Sequence, residues 1–449
     1  MRGAALGRED SASQETQRGN LMVRTRGLGV LIVAAFVAFA CGGGGGTSGG
    51  TKGTIKIGVD LPESGAAASS GLPTLHGVEY AVKVINDAGG LEGYKFEVSN
   101  FDDAVNGAYN EQKGVQNVQQ MIGDSKVLGM IGPFNSAVAK AEIPVASAEH
   151  FTMISPSNTN PCLTKDLPTC SYHPQDLRKG NANNYFRVVT TDDFQGPAMA
   201  DYAYKNLNIK NIAVLSDSTV FGKGIADAFQ VEFQKIGGTY KRLDYPGQTQ
   251  TDFRSFLTTF KNSGAQGLYV GGTDDQKACV ARSQMVAVGF NVPYLGGDGI
   301  ETAQCIDDAG SNNLNINATS AGADATQVPG AKATLDGYRK AFPGPHDLGG
   351  YTIQAYDAAT ALMQAIGRAI KDNGGNVPSR EQVRAAMAAT KGFQGAIGTY
   401  NFDANGDTDL RIVSIYTTKA VDDPATSTGV CGTKSAKVCF VWQQQVNYS

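Results

Sequence analysis

The sequence predicts an α/β protein with two lobes, each a Rossmann-like unit built around a parallel β-sheet. Short apolar runs, typical of buried strands, alternate with longer segments whose apolar residues recur at helical spacing. This alternation runs through the chain twice, which favours two α/β units over one. A length of 449 residues also suits two or three domains of ordinary size.

The composition excludes several classes of protein. A hydrophobic content of 41% and a charged content of 18% are ordinary for a soluble protein, and they exclude a disordered chain or a multi-span membrane protein. The formal net charge is −4, and no run of lysine and arginine or basic aromatic stripe is present. We therefore expect no nucleic-acid partner.

An apolar run at residues 28–40 is predicted to be the core of a signal peptide. Arg24 and Arg26 precede it, and the run is too short for a membrane span, which needs about 20 residues. We expect the signal peptide to cover residues 1–40. Met22 is the expected true start, because the segment that follows it is a normal charged beginning for such a peptide.

Cys41 follows this run directly and is predicted to carry a lipid. Residues 38–41 resemble the lipobox of bacterial lipoproteins, whose cysteine becomes acylated, although Ala38 replaces the usual leucine. The glycine-rich stretch that ends at residue 53 is then a flexible tether between a membrane anchor and the folded body. An ordinary signal peptide, cleaved at the Ala-x-Ala spacing, is the alternative.

The first series of elements begins after this tether. Its strands are predicted at residues 55–59, 96–98, 127–131, 151–154 and 185–189, with helices between them. The strands at 127–131 and 151–154 flank a helical pattern, so a parallel pair with a right-handed crossover is expected.

The second series continues the alternation and then changes character. Its strands are predicted at residues 212–215, 240–245, 268–270 and 294–295. After Asp298 the pattern weakens, and two helices follow at 353–370 and 381–390. The last strands are expected to be antiparallel and lie at 400–402, 412–416 and 438–442.

Hydroxyl and amide side chains cluster where two strands of the first lobe end, at residues 132–136 and 155–160. In parallel sheets, ligands bind beyond the carboxyl ends of the strands. Ser136 also stands at a helix start, where unpaired backbone N–H groups favour an anion such as a carboxylate. The alternative is that Ser136 only caps its helix and that the second cluster, with Ser157 and Thr159, is only a turn.

A second set of residues occupies strand ends in the second lobe. It contains Phe221, Thr273, Asp274 and Asp298. Hydroxyls and helix-start amides suit a carboxylate, and an acidic side chain suits an ammonium, so the two sets together describe a free α-amino acid. For Asp298 the alternative is a role as a capping residue in its glycine-rich turn.

No catalytic, cofactor or metal site is predicted. Asp102 and Asp103 are adjacent and point to opposite faces of a strand, which favours loop capping over acid–base chemistry. The acidic residues at 403–409 depart from a calcium loop, and a hairpin turn is preferred. The G-x-S-x-G match at 46–50 lies in the tether, and no nucleotide-binding glycine motif exists.

The cysteines suggest three disulfides. Seven are present, and beside Cys41 they form near neighbours: Cys162 with Cys170, Cys279 with Cys305, and Cys431 with Cys439. In an exported protein this parity favours disulfides, although six cysteines allow 15 pairings. No cysteine or histidine spacing supports a metal site.

Several short motifs in their order resemble one known family. They read IKIGV at 55–59, INDAGGLEG at 85–93, IGPFNS at 131–136, MISPSNTNP at 153–161, FGKG at 221–224, YVGG at 269–272, GGDG at 296–299 and YNFDANGD at 400–407. The chain resembles the branched-chain amino acid binding proteins of bacterial ABC transporters, which have the type I periplasmic-binding-protein fold. The likeness covers nearly all of residues 54–442.

The resemblance implies two lobes joined by three hinge crossovers that close on an amino acid. Lobe 1 is expected at 54–188 with 324–394, and lobe 2 at 189–323 with 395–449. By motif position, Ser136, Thr159 and the backbone near Ser157 would hold the α-carboxylate and Asp298 the α-ammonium. Phe221 takes the position of a common aromatic residue, and Thr273 and Asp274 lie in the matching loop of lobe 2.

The expected function is that of a lipid-anchored, extracytoplasmic and monomeric solute-binding protein. It would deliver a branched-chain or other aliphatic amino acid to an ABC permease without acting as an enzyme. An amide- or urea-binding protein of the same fold is the first alternative. An extracellular lipoprotein hydrolase and a purely structural lipoprotein are the others, and the sequence supplies no placed nucleophile and base for the former.

Overall fold

The computed structural model describes residues 51–344, 346–422 and 430–448. The predicted signal peptide, the Met22 start and the lipidated Cys41 lie outside the described residues. None of the helices within the described ranges is both long and apolar enough to cross a bilayer.

Two large sheets organise the described residues. The strands are β1 (Gly53–Leu61), β2 (Tyr94–Asp102), β3 (Ala104–Val105), β4 (Ala108–Tyr109), β5 (Val127–Ile131), β6 (Thr152–Ser155), β7 (Tyr185–Arg187), β8 (Asn211–Ser216), β9 (Thr239–Asp244), β10 (Leu268–Gly271), β11 (Tyr294–Gly296), β12 (Ile316–Ser320), β13 (Phe393–Gly395), β14 (Gly398–Tyr400), β15 (Ile412–Ala420) and β16 (Val438–Asn447).

The first sheet has the order β2-β1-β5-β6-β7, and all its neighbouring strands are parallel. The second sheet has the order β16-β15-β12-β11-β10-β8-β9. Its strands β12 to β9 are parallel, whereas β15 and β16 add antiparallel at one edge. The remaining strands form two small hairpins, β3-β4 and β13-β14.

Helices cover both sheets. They are α1 (Ala68–Asp87), α2 (Glu111–Gly123), α3 (Ser136–Ala148), α4 (Pro174–Arg178), α5 (Asp192–Asp201), α6 (Val220–Lys235), α7 (Arg254–Asn262), α8 (Ala278–Gln284), α9 (Ala303–Asp308), α10 (Lys332–Ala341), α11 (Thr352–Asp372) and α12 (Arg380–Ala388).

The first sheet, with α1 and α11, encloses the core of the first lobe. Ile57 and Val59 of β1 and Leu362 and Ile366 of α11 are fully buried in one apolar cluster. The two helices approach closely at Gly77, where an added Cβ would lie 2.1 Å from the carbonyl oxygen of Thr352. A side chain at Gly77 would therefore separate the helices.

Aromatic residues fill the core of the second lobe on both faces of its sheet. On one face, the rings of Phe229 and Tyr269 stack with centroids 3.8 Å apart. On the other face, Tyr245 meets Phe253 edge-on at 5.0 Å. This burial fixes the ends of β8 and β10, which carry loops of the cleft described below.

Within the described ranges, the chain passes between the two sheets three times. It crosses after β7, after β12, and between β14 and β15. The predicted lobe boundaries after residues 188, 323 and 394 stay predictions. The core of the first lobe includes Ala396 and Phe402, which lie beyond the last of these boundaries.

The predicted strand–helix–strand unit at β5, α3 and β6 is confirmed, including the parallel pairing of its strands. The prediction missed β12, since the segment after Asp298 was taken as irregular. Polar Asn317 and Thr319 interrupt the apolar pattern of β12, but both are buried and hydrogen-bonded, to Thr417 and Gln195. The partners that make this strand possible are distant in sequence.

The three expected cysteine pairs are disulfide-bonded. Cys162 bonds Cys170 within the first lobe, and Cys279–Cys305 and Cys431–Cys439 lie within the second. None of these three bonds crosses between the lobes.

Candidate ligand-binding cleft

A cleft lies where the carboxyl ends of strands from both sheets face each other. Direct hydrogen bonds span it. The Ser69 hydroxyl, at the start of α1, donates to Asp274 Oδ2 at 3.0 Å, and the Tyr351 hydroxyl donates to Asp298 Oδ2 at 2.8 Å. Farther along, Asn160 Nδ2 donates to the carbonyl of Val220 at 2.9 Å. Carboxylates of the second lobe thus meet hydroxyls of the first.

Two small adjoining cavities occupy this cleft, and both are lined by Ser70 and Phe134. The first cavity is also lined by Asn135, Thr273, Asp274, Asp275 and Gly299. The second is also lined by Ser69, Asp298, Glu301, Thr302, Gly350 and Tyr351. The structure therefore brings three of the predicted residues, Thr273, Asp274 and Asp298, to one place.

The predicted residues of the first lobe, Ser136, Ser157 and Thr159, are buried and line neither of the two cavities. The Ser157 hydroxyl donates to the carbonyl of Phe134 at 2.9 Å. Ser136 begins α3, and its hydroxyl accepts from the backbone N–H of Asn160 at 3.4 Å, which joins the two strand-end loops. Thr159 is also buried, and its hydroxyl lies beside the buried carboxyl of Asp192. A buried hydroxyl of this kind is a candidate ligand contact.

Asp298 follows β11 and accepts hydrogen bonds from two side chains. Gln195 Nε2 donates to its Oδ1 at 2.7 Å, in addition to the bond from Tyr351. Burial raises the pKa of Asp298 to about 6, although both hydrogen bonds oppose the rise. Its carboxyl group is therefore mostly ionised at neutral pH. Asp298 forms no ion pair with a cationic side chain among the described residues.

Phe221 supports the loop that carries Asp298. It is buried at the start of α6, and a Cβ added at Gly299 would lie 2.8 Å from its ring carbon Cε1. The ring packs on the backbone of this loop, so only a residue without a side chain fits there. A direct contact between Phe221 and a ligand stays a prediction.

Asp274 and its neighbours form the other acidic part of the cleft. Asp274 Oδ2 accepts from the hydroxyls of Ser69 and Thr302, and Oδ1 accepts from a backbone N–H. The Thr273 hydroxyl donates to Asp275, so it is already engaged. Burial raises the pKa of Asp274 to about 7, with a further contribution from the charge of Asp275.

Several residues of the cleft were not predicted from the sequence. Phe134 belongs to a strand-end motif and could have been found by the same argument as Ser136. Tyr351, Gln195 and Glu301 give no such signal, since none follows a strand. Within the described ranges, no group of three or more histidine, cysteine, aspartate and glutamate residues is arranged to hold a metal ion.

Comparison with known proteins places this architecture in a family. Residues 54–420 match the family described as periplasmic binding protein. The chain belongs to this family. Its two sheets with parallel cores agree with this membership, and the predicted type I periplasmic-binding-protein fold is confirmed.

Several proteins named for the binding of leucine, isoleucine and valine resemble this chain over most of their length. The Leu/Ile/Val-binding protein homolog 3 of Brucella melitensis is 31% identical over 354 residues, which cover 79% of this chain and 88% of the relative. A Leu/Ile/Val-binding protein of Rhizobium johnstonii is 29% identical over 366 residues, which cover 81% and 91%.

Solved structures of the family also superimpose on this one. A leucine-binding protein from Thermotoga maritima has a TM-score of 0.71 at 25% identity, covering 88% of this chain and 99% of the other. A branched-chain amino acid transporter substrate-binding protein from Streptococcus pneumoniae, solved with isoleucine, has a TM-score of 0.68 at 25% identity, covering 87% and 100%.

Proposed function

We propose that this protein is the extracytoplasmic substrate-binding component of an ABC importer and captures a free α-amino acid in its cleft. The observation that carries the proposal is the arrangement around Asp298. A buried, mostly ionised carboxylate of the second lobe faces hydroxyl groups of the first lobe across a cavity, without a cation to pair with among the described residues. An α-ammonium group would supply that cation.

The carboxylate of the ligand would bind at the first lobe. Ser136 lies at the start of α3, where backbone N–H groups favour an anion, and the buried Thr159 hydroxyl lies in the adjoining loop. A ligand that bridges the lobes has both of its charges paired only when the two lobes are close together. Its binding therefore favours the closed arrangement by differential affinity.

The relatives support the same function and a range of ligands. The Brucella and Rhizobium proteins are named for leucine, isoleucine and valine, and the Streptococcus structure holds isoleucine. We infer an aliphatic amino acid as a ligand of this chain, delivered to a membrane permease. In this proposal the protein is a monomeric solute carrier rather than an enzyme, and Cys41 carries the lipid that anchors it outside the cytoplasm.

Calorimetric titration tests the proposal. The protein is unfolded and refolded to remove carried-over ligand, then titrated with leucine, isoleucine, valine, urea and short amides. We expect one-to-one binding of an amino acid, weakened in Asp298→Ala by roughly 2 to 5 kcal/mol, as loss of a buried charge partner does. Binding confined to urea or amides would exclude the amino-acid function.

A matched control comes from the same lobe. Asp252 is exposed, forms an ion pair with Arg254 and lines neither cavity of the cleft. Asp252→Asn removes one carboxylate charge, as Asp298→Ala does, but should leave the affinity unchanged. An equal loss in both variants would show that overall charge, and not the cleft, determines binding.

A further inference from the structure

The cleft contains more carboxyl groups than are needed to bind one α-ammonium group. Four carboxyl groups line its two cavities, those of Asp274, Asp275, Asp298 and Glu301. No lysine, arginine or histidine from the described part of the chain lines either cavity. Asp274 and Asp275 are held by hydroxyl, amide and backbone donors, so their charges are at least solvated by the protein.

Glu301 differs from the other three carboxyl groups. Its residue is only 5% exposed, and its Oε2 has no hydrogen-bond partner among the described residues. It lines the same cavity as Asp298 and Tyr351, and it also lines a neighbouring cavity at the second crossing, beside Asp324 and Gly350. Glu301 therefore stands next to the place where the α-ammonium is expected to bind.

Among the residues that the structure describes, the groups that face Glu301 do not include a cation. Burial raises the pKa of Glu301, the charges of Asp324 and Asp298 raise it further, and a hydrogen bond with Ser320 acts in the opposite direction. The remaining titratable neighbours are the phenols of Tyr351 and Tyr416, which are neutral. A buried carboxyl group in such surroundings either stays protonated or binds a cation that arrives with a ligand.

We propose that Glu301 forms a second cation subsite, which takes the side-chain ammonium of a basic amino acid whose α-ammonium is bound at Asp298. The inference rests on the proposed function for the main-chain part of the ligand and extends its range of side chains. A neutral aliphatic ligand binds while Glu301 is protonated. A diamino acid binds while Glu301 is ionised, and the proton leaves to the solvent.

Pairs of ligands that differ by one ammonium group test this proposal. Lysine and norleucine have side chains with the same number of carbons, as do ornithine and norvaline, so each pair differs by the terminal ammonium group alone. At pH 8 we expect the refolded protein to bind at least one diamino acid about tenfold or more tightly than its neutral partner. Equal or tighter binding of both neutral partners would overturn the inference and leave the proposed function intact. Failure of every amino acid to bind would overturn both.

The Glu301→Gln variant tests whether the preference for a diamino acid over its neutral partner arises at Glu301. It keeps the size of the side chain and removes its charge, so the ratio of lysine to norleucine affinity should fall to near one. The Asp252→Asn variant should keep the wild-type ratio. Equal losses for lysine and norleucine in Glu301→Gln would place Glu301 at the α-ammonium or in the fold, and would overturn the subsite.

A measurement on the unaltered protein gives an independent test. Calorimetry in buffers of different ionisation enthalpy counts the protons that accompany binding. Since a diamino acid must bind to ionised Glu301, lysine should release more protons than norleucine at pH 7. Equal proton release for the two ligands would contradict the proposal, even if Glu301→Gln does not fold.

Discussion

The Asp407→Asn substitution should destabilise the first lobe strongly. Arg187 at the end of β7 is 0% exposed, and its Nε donates to Asp407 Oδ1 at 2.6 Å. Without the carboxylate, a guanidinium charge stays buried and uncompensated, which costs about 3 to 5 kcal/mol in proteins. We expect the lower end, about 3 kcal/mol, because the carbonyls of Asn158 and Asn160 and the Thr164 hydroxyl still accept from Arg187.

Urea unfolding of the wild type and the Asp407→Asn variant at pH 7 measures the difference in their free energies of unfolding. The exposed Asp252–Arg254 pair has the same closest N–O distance, 2.6 Å, so Asp252→Asn provides a control in which an exposed pair is broken. We expect the midpoint of the control to equal that of the wild type. Exposed ion pairs contribute up to about 1 kcal/mol to stability. If Asp407→Asn lowers the free energy of unfolding by less than this amount, the reasoning from burial is refuted.

Two further predictions concern pH. Amino-acid affinity should fall as the pH is lowered through about 6, since binding of the ammonium needs ionised Asp298; constant affinity from pH 8 to pH 5 would contradict its role. Burial also raises the pKa of Glu142, inside the first lobe, to about 8. The stability that it contributes is fully present below about pH 4 and is lost as the pH rises through about 8. The urea midpoints at pH 6 and pH 9 should therefore differ less in the Glu142→Gln variant than in the wild type. An equal difference in both proteins would refute this prediction.

The elements that could be predicted from the sequence are those with a local signal. The strands β5 and β6 are continuous apolar runs, and the helix between them has apolar residues on one face, so their pattern alone gives the parallel unit. β12 has the opposite property, because buried Asn317 and Thr319 break its pattern and find their partners about 100 residues away along the chain.

The same reasoning applies to the cleft. Thr273, Asp274 and Asp298 follow strands, and the rule that ligands bind at strand ends was enough to choose them. Tyr351 comes from the start of α11, and only the second crossing brings it to Asp298. Glu301 was not predicted because an acidic residue in a turn looks solvated in the sequence, and its burial depends on packing between the lobes.

The order of the disulfides has a consequence for export. Each bonded cysteine pairs with the next one along the chain, and no pair is interleaved with another. A chain that emerges from a membrane pore amino end first therefore exposes each cysteine together with its own partner before the next pair appears. Cys41 is the only earlier cysteine, and in the proposed lipoprotein its thiol is acylated. An oxidase that acts on the emerging chain is then sufficient, and we expect maturation to be independent of disulfide isomerisation.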